Sequence, residues 1–260
     1  MPSRTRTIAP IATAMLVLGL SLPASAHFQE IIPSADVLPD GGPVTVDLVF
    51  THPVAGGPVM EMEKPAEVGV LAGGKQTNLT ERLTKKPVDG KQAWSFRYDL
   101  AEPGAAVFFV KPRPYWEPAE NKYIVHYAKV IADGYASGEG WDALVGLPVE
   151  IRPLTRPTGI WTGNLFSGVV LKAGKPVPFA EVEVEFINDG SVKPPNDAFI
   201  TQVIRADASG TFTYAMPRAG WWGFAALVEG DTPMTAPDGK SVPVEEGALI
   251  WVKATDMGAK

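Results

Sequence analysis

The chain contains only three histidines, His27, His52 and His126, and no cysteine. Structural disulfides, iron–sulfur clusters, thiolate metal sites and cysteine nucleophiles are therefore excluded. Any metal must be held by nitrogen or oxygen donors, with methionine the only sulfur. His27 is well placed for such chemistry: cleavage after Ala26 gives it a free α-amine beside its imidazole, and those two nitrogens can close a chelate ring on one ion. One further imidazole completes a three-nitrogen brace. His52 follows Val44, Val46, Leu48 and Phe50 at steps of two, so strand geometry puts it on an apolar face, and Pro53 ends the strand. His126 shares a face with Ile124, Ala128 and Val130 and also points inward. The candidate site is thus His27, His52 and His126 around a divalent transition-metal ion. For each residue taken alone, a core histidine satisfied by a hydrogen bond is the alternative.

Weaker donors stand nearby. Met60 and Met62 offer thioethers that favour Cu(I), whereas Glu61, Glu63, Glu117 and Glu120 suit harder ions. Tyr115-Trp116 and Trp221-Trp222 could stack on carbohydrate, but aromatic pairs near strand ends are more often core residues.

The elements that must position these groups begin after a leader. Arg4 and Arg6 precede an apolar run from Ile8 to Leu22, and Ala24-Ser25-Ala26 supplies the small residues of a cleavage site. Residues 1–26 read as a cleaved secretory signal peptide, which places the mature protein in the periplasm. The apolar run is short and broken by Pro10, and no later stretch approaches the roughly 20 apolar residues of a membrane span. The full sequence of 260 residues has 23 basic and 29 acidic groups, a net charge of -6. That sign opposes phosphate contact, so nucleic acid is excluded as an expected partner.

Strands dominate the rest. Alternating patterns cover 44–50, 94–100, 107–110, 123–131, 168–171, 181–187 and 211–214, separated by Gly- and Pro-rich turns. The expected fold is all-β with little helix, beyond a possible helical turn at 140–145: two β-sandwich domains, split at the two prolines of Arg152-Pro-Leu-Thr-Arg-Pro157. Residues 27–157 would form the metal-binding domain and 158–260 a second sandwich. The strand and turn order of the second resembles transthyretin-like (prealbumin-like) modules.

Several segments together resemble a known family, the NikM-like periplasmic components of nickel or cobalt uptake systems, a domain-of-unknown-function group. They are HFQEIIPS at 27–34, FTHP at 50–53 followed by Met60-Glu-Met62, YWEPAENKYIVHYAK at 115–129, GWDALVGLPVEIRPLTRP at 140–157, and GKP at 174–176. The resemblance covers essentially the whole mature chain. It implies a metal-handling protein with His27, His52 and His126 as ligands, a membrane metal-uptake permease as partner, and no catalytic activity. One departure is Ser25, where some relatives carry a further histidine, which leaves less ligand capacity at the N-terminus.

Three function classes follow. The leading one is a periplasmic carrier of nickel or cobalt. A second is a copper protein, oxidative enzyme or carrier, built on the same N-terminal histidine. A third is a metal-free β-sandwich interaction module. Nitrogen donors alone do not select the ion, since they bind Cu²⁺ more tightly than Ni²⁺ or Co²⁺, and zinc also accepts imidazole.

Overall fold

A computed structural model of the chain describes residues 27–258, so the leader at 1–26 lies outside the described residues. The architecture is β-sandwich throughout, with two single-turn 3₁₀ segments, Thr80–Arg82 and Asp197–Phe199, as the helical content of the described residues. Residues 141–142 form a turn and 143–145 are irregular, so the segment 140–145 makes neither a helical turn nor a short helix.

The strands that matter here are β1 (Phe28–Pro33), β2 (Gly42–Thr51), β3 (Glu67–Ala72), β4 (Lys75–Asn78), β5 (Thr84–Lys85), β6 (Trp94–Leu100), β7 (Gly104–Lys111), β8 (Tyr115–Glu117), β9 (Lys122–Gly134), β10 (Val149–Pro153), β11 (Leu165–Lys172), β12 (Glu181–Phe186), β13 (Gln202–Arg205), β14 (Thr211–Ala215), β15 (Gly220–Glu229) and β16 (Val244–Thr255). A first sheet runs β1-β2-β6-β5. A long central sheet runs β13-β12-β15-β16-β9-β7-β3-β4, and a third is built on β10, β11 and β14.

The central sheet is shared. Its alternating residues feed two cores, one on each face. On β7, Ala106, Phe108 and Val110 join Val44, Val46 and Leu48 of β2 beneath the first sheet, while Val107 and Phe109 join Ile151 and Phe166 beneath the third. The same division holds on β16, where Leu249 and Trp251 face one way and Ala248, Ile250 and Val252 the other. Strict period-2 geometry makes this possible, and each large side chain so buried contributes about 1.5–3 kcal/mol.

Segments 27–157 and 158–260 meet within that sheet. β9 pairs with β16 in parallel over eight positions, Tyr123 opposite Val244 through Val130 opposite Trp251. A parallel pair needs a long crossover, and here it draws on strands more than a hundred residues apart. The proline segment at 152–157 ends β10 and leads towards β11, its antiparallel partner in the third sheet.

One charged pair lies wholly inside. Lys129 on β9 is fully buried and donates to Glu150 at 2.7 Å, and Glu150 also accepts from the backbone N–H groups of Val145, Gly146 and Leu147. Burial lowers the Lys129 pKa while Glu150 opposes that shift. With three backbone N–H groups and the Lys129 ammonium on its two oxygens, the Glu150 carboxylate pins the 145–147 loop against the third sheet.

Candidate metal centre

β1 and β2 are antiparallel with Phe28 opposite Thr51. Continuing that register by one residue sets His27 across from His52, and their rings stand 4.5 Å apart, tilted by 54°. His52 is buried, at 5% exposure, where β2 runs into its turn. That turn is clamped from within and from β12. The His52 carbonyl accepts from Gly56 and Gly57, the Val54 N–H donates to the buried Glu185 carboxylate at 3.1 Å, and the Asn188 amide donates to the Val54 carbonyl at 3.0 Å.

His126 comes from β9 and is 2% exposed. Its ring lies over Gly247, where a Cβ would stand 2.3 Å from its Cδ2, so only glycine at that position leaves room for the imidazole. Phe50 packs against both parts of the cluster, 5.5 Å from the His27 ring and, edge to face, 6.3 Å from the His126 ring. The three histidines of the sequence are therefore gathered at one end of β2, β9 and the entry to β1.

Each of two histidines directs its Nε2 at a carboxylate. His27 Nε2 lies 3.1 Å from Glu117 Oε2, and His126 Nε2 lies 3.2 Å from Glu245 Oε1. The other nitrogen of His126, Nδ1, is buried with no hydrogen-bond partner. A polar atom left in that state costs about 1–3 kcal/mol unless something binds it. Oriented by Glu245, it is the nitrogen a metal would take, and a carboxylate behind an imidazole is the usual arrangement around ligating histidines. The same logic leaves His27 with Nδ1, the atom that can share a chelate ring with the α-amine.

Electrostatics fits this use. Burial, then the proximity of His52 and His126, lowers the His27 pKa to about 4, so its imidazole is unprotonated at neutral pH. Ligation requires that form. Glu245 is pulled the other way: burial alone would raise its pKa, but hydrogen bonds and charge from His126 and Lys122 bring it down to about 2. Lys122 sits between Glu120 and Glu245, 2.5 Å from each.

The weaker donors are placed differently. Glu120 is committed to Lys122, and Glu61 accepts from the backbone of Gln92. Met60 is buried with Phe50 and Ile124, whereas Met62 packs into the core beneath the first sheet and accepts a long contact from Gln29. Trp222 lies in the core beneath the third sheet and Trp221 packs against the core beneath the first, so the two rings face opposite ways and form no paired platform. Glu245 and Lys122 went unnoticed in the sequence. Their signal was faint, a charged residue at the head of each of two long apolar strands.

Among the described residues, no group of three or more His, Asp or Glu side chains stands in ready metal-holding geometry. Among the described residues no helix is long and apolar enough to cross a membrane.

Sequence comparison matches residues 24–230 to a family described as Domain of unknown function (DUF4198). No curated protein matches the chain. Solved structures similar to it include the native conformation of E. coli alpha-2-macroglobulin, 11% identical, with 88% of this chain and 14% of that one covered and a TM-score of 0.25. A two-domain fibronectin type-III segment of chicken tenascin is 11% identical over 88% of this chain and 100% of its own, with a TM-score of 0.24. Dimeric latent PorU from Porphyromonas gingivalis is 10% identical over 88% of this chain and 20% of its own, with a TM-score of 0.23. The chain thus spans a small part of the first and third and all of the second.

Proposed function

The chain belongs to the DUF4198 family, and from that premise and the histidine geometry we propose that it is a periplasmic binding protein for a divalent transition metal, nickel or cobalt, which it delivers to an uptake system. The ion is cargo. His27 supplies its α-amine and imidazole once the leader is removed, and His52 and His126 supply the remaining nitrogens. Glu117 and Glu245 act behind the ligands, holding the His27 and His126 rings through Nε2.

The observation that carries this reading is the buried, unpartnered Nδ1 of His126 within the same cluster as the His27 and His52 rings. A purely structural histidine at 2% exposure would have both nitrogens satisfied. The nickel or cobalt assignment, the NikM-like role and the permease partner rest on the sequence resemblance. A binding role, with no catalysis, follows from the same source.

Elemental analysis of the protein purified from its native compartment tests the reading. About one nickel or cobalt ion per chain is expected. Stoichiometric copper would move the protein to the copper class, and a chain that carries no metal and takes up none would leave the interaction-module reading.

A further inference from the structure

An open cavity of about 430 Å³ beside β8 is lined by opposite charges that do not pair with one another, and its size is within the range that accommodates small ligands. Buried Phe50 and Ile124 give it an apolar lining, and three half-buried rings, Tyr115, Trp116 and Tyr123, complete the wall. Trp116 and Tyr123 stand 5.2 Å apart with their planes 56° from each other, so they make a corner rather than a parallel stack. Tyr115 packs edge to face on Phe50 at 5.2 Å.

Arg113, Glu61 and Glu63 line the same cavity, and all three are exposed. Among the described residues none of them enters an ion pair, with each other or with a neighbour, and the one hydrogen bond at these side chains runs from the Gln92 N–H to Glu61. Arg113 is set between Pro112 and Pro114 in the link from β7 to β8. Both prolines restrict the backbone there, which fixes where the guanidinium starts and leaves its fork open for a carboxylate.

A simple anion would gain Arg113 but face two carboxylates, and a simple cation would gain the carboxylates but face Arg113. A ligand carrying both charges at opposite ends meets both. Its cationic end must also suit ring faces. A primary ammonium is strongly hydrated and asks for hydrogen bonds that ring faces do not supply, whereas a quaternary ammonium presents only methyl groups and is held by the ring quadrupole within about 6 Å of a centroid.

We infer that this cavity binds a betaine, a carboxylate joined by a short chain to a quaternary ammonium. The carboxylate meets Arg113, the methylated head lies against Trp116 and Tyr123, and Glu61 and Glu63 supply the counter-charge. A quaternary nitrogen has no lone pair to give a metal, so the inference stands apart from the metal-binding reading.

Equilibrium dialysis of the metal-free processed protein with labelled γ-butyrobetaine tests it. About one molecule retained per chain is expected, with choline, which lacks the carboxylate, and butyrate, which lacks the ammonium, each competing at least tenfold more weakly than unlabelled γ-butyrobetaine. Arg113→Gln and Trp116→Ala, with the fold verified by circular dichroism, should each retain the probe at least tenfold more weakly. No retention by the wild type overturns the betaine site. Choline or butyrate competing as well as the betaine overturns the two-ended recognition, and unchanged retention in Arg113→Gln overturns the cavity as its location. The dialysis contains no metal, so each of these failures leaves the metal-binding reading standing.

Discussion

His126 and Glu245 face each other across the parallel pair of β9 and β16, Nε2 to Oε1 at 3.2 Å, although 119 residues separate them in the chain. Glu245 lies opposite Ile124, and Gly247, two residues on, lies opposite His126. The strand from the far end of the sequence therefore supplies both the carboxylate that turns the imidazole and the space the imidazole occupies.

If Glu245 orients His126, then Glu245→Gln, which keeps the size and removes the charge, should weaken nickel binding by about tenfold while leaving the fold intact. A competition titration against a chromogenic chelator measures this. Affinity within twofold of wild type would make the contact incidental to binding.

The extra donor at the N-terminus is separable from the imidazoles. A variant retaining Met-Ala before His27 cannot present the α-amine, so its affinity for Ni²⁺ should fall by at least tenfold with the β-sandwich unchanged. The His27 imidazole, with its pKa near 4, stays unprotonated well below neutrality, so acid weakening of the processed protein just below pH 8 should track the amine. The extended variant should lack that phase. Matching dissociation constants would make the amine a bystander.

Stability of the metal-free protein should fall as pH rises. Glu183, held at about 8 by burial and then by the charges of Glu245, Glu185 and Glu181, and Glu185, held at about 7 by burial against the pull of its Thr201 and Val54 hydrogen bonds, are both raised from 4.5. Glu30 is raised to about 8 by burial and by Glu185. A carboxyl raised on folding contributes stability that is complete below its unfolded value and lost as pH climbs through the folded one. The window is thus pH 4.5 to 8, with a slope of up to about 1.4 kcal/mol per pH unit for each group. Thermal melts across that range should show Tm declining, and the Glu183→Gln, Glu185→Gln double variant should flatten the decline. A wild-type Tm that rises from pH 5 to 8 would contradict these shifts.

Much of the frame was legible in the chain. The alternation at 44–50 and 123–131 set β2 and β9 and turned His52 and His126 inward, because one buried face enforces period 2. β16 was not legible. Its run Ala248-Leu-Ile-Trp-Val252 is apolar at every position because both faces of the central sheet are covered, so alternation vanishes where burial is greatest. Glu181-Val-Glu-Val-Glu185 misled in the opposite direction. It reads as one apolar and one polar face, yet Glu183 and Glu185 are buried on the face shared with Ala225 and Gly223, close enough to sense Glu245 and Glu30. Long-range pairing decides such cases, and one strand's pattern contains no record of its neighbours.

The central claim is that His27, His52 and His126 hold one divalent ion together. Calorimetric titration of the processed protein with Ni²⁺, alongside His52→Ala and His126→Ala variants whose fold is verified by circular dichroism, tests it most directly. The expected result is one site in the wild type and at least tenfold weaker binding in each variant. Unchanged affinity in both variants would contradict the site.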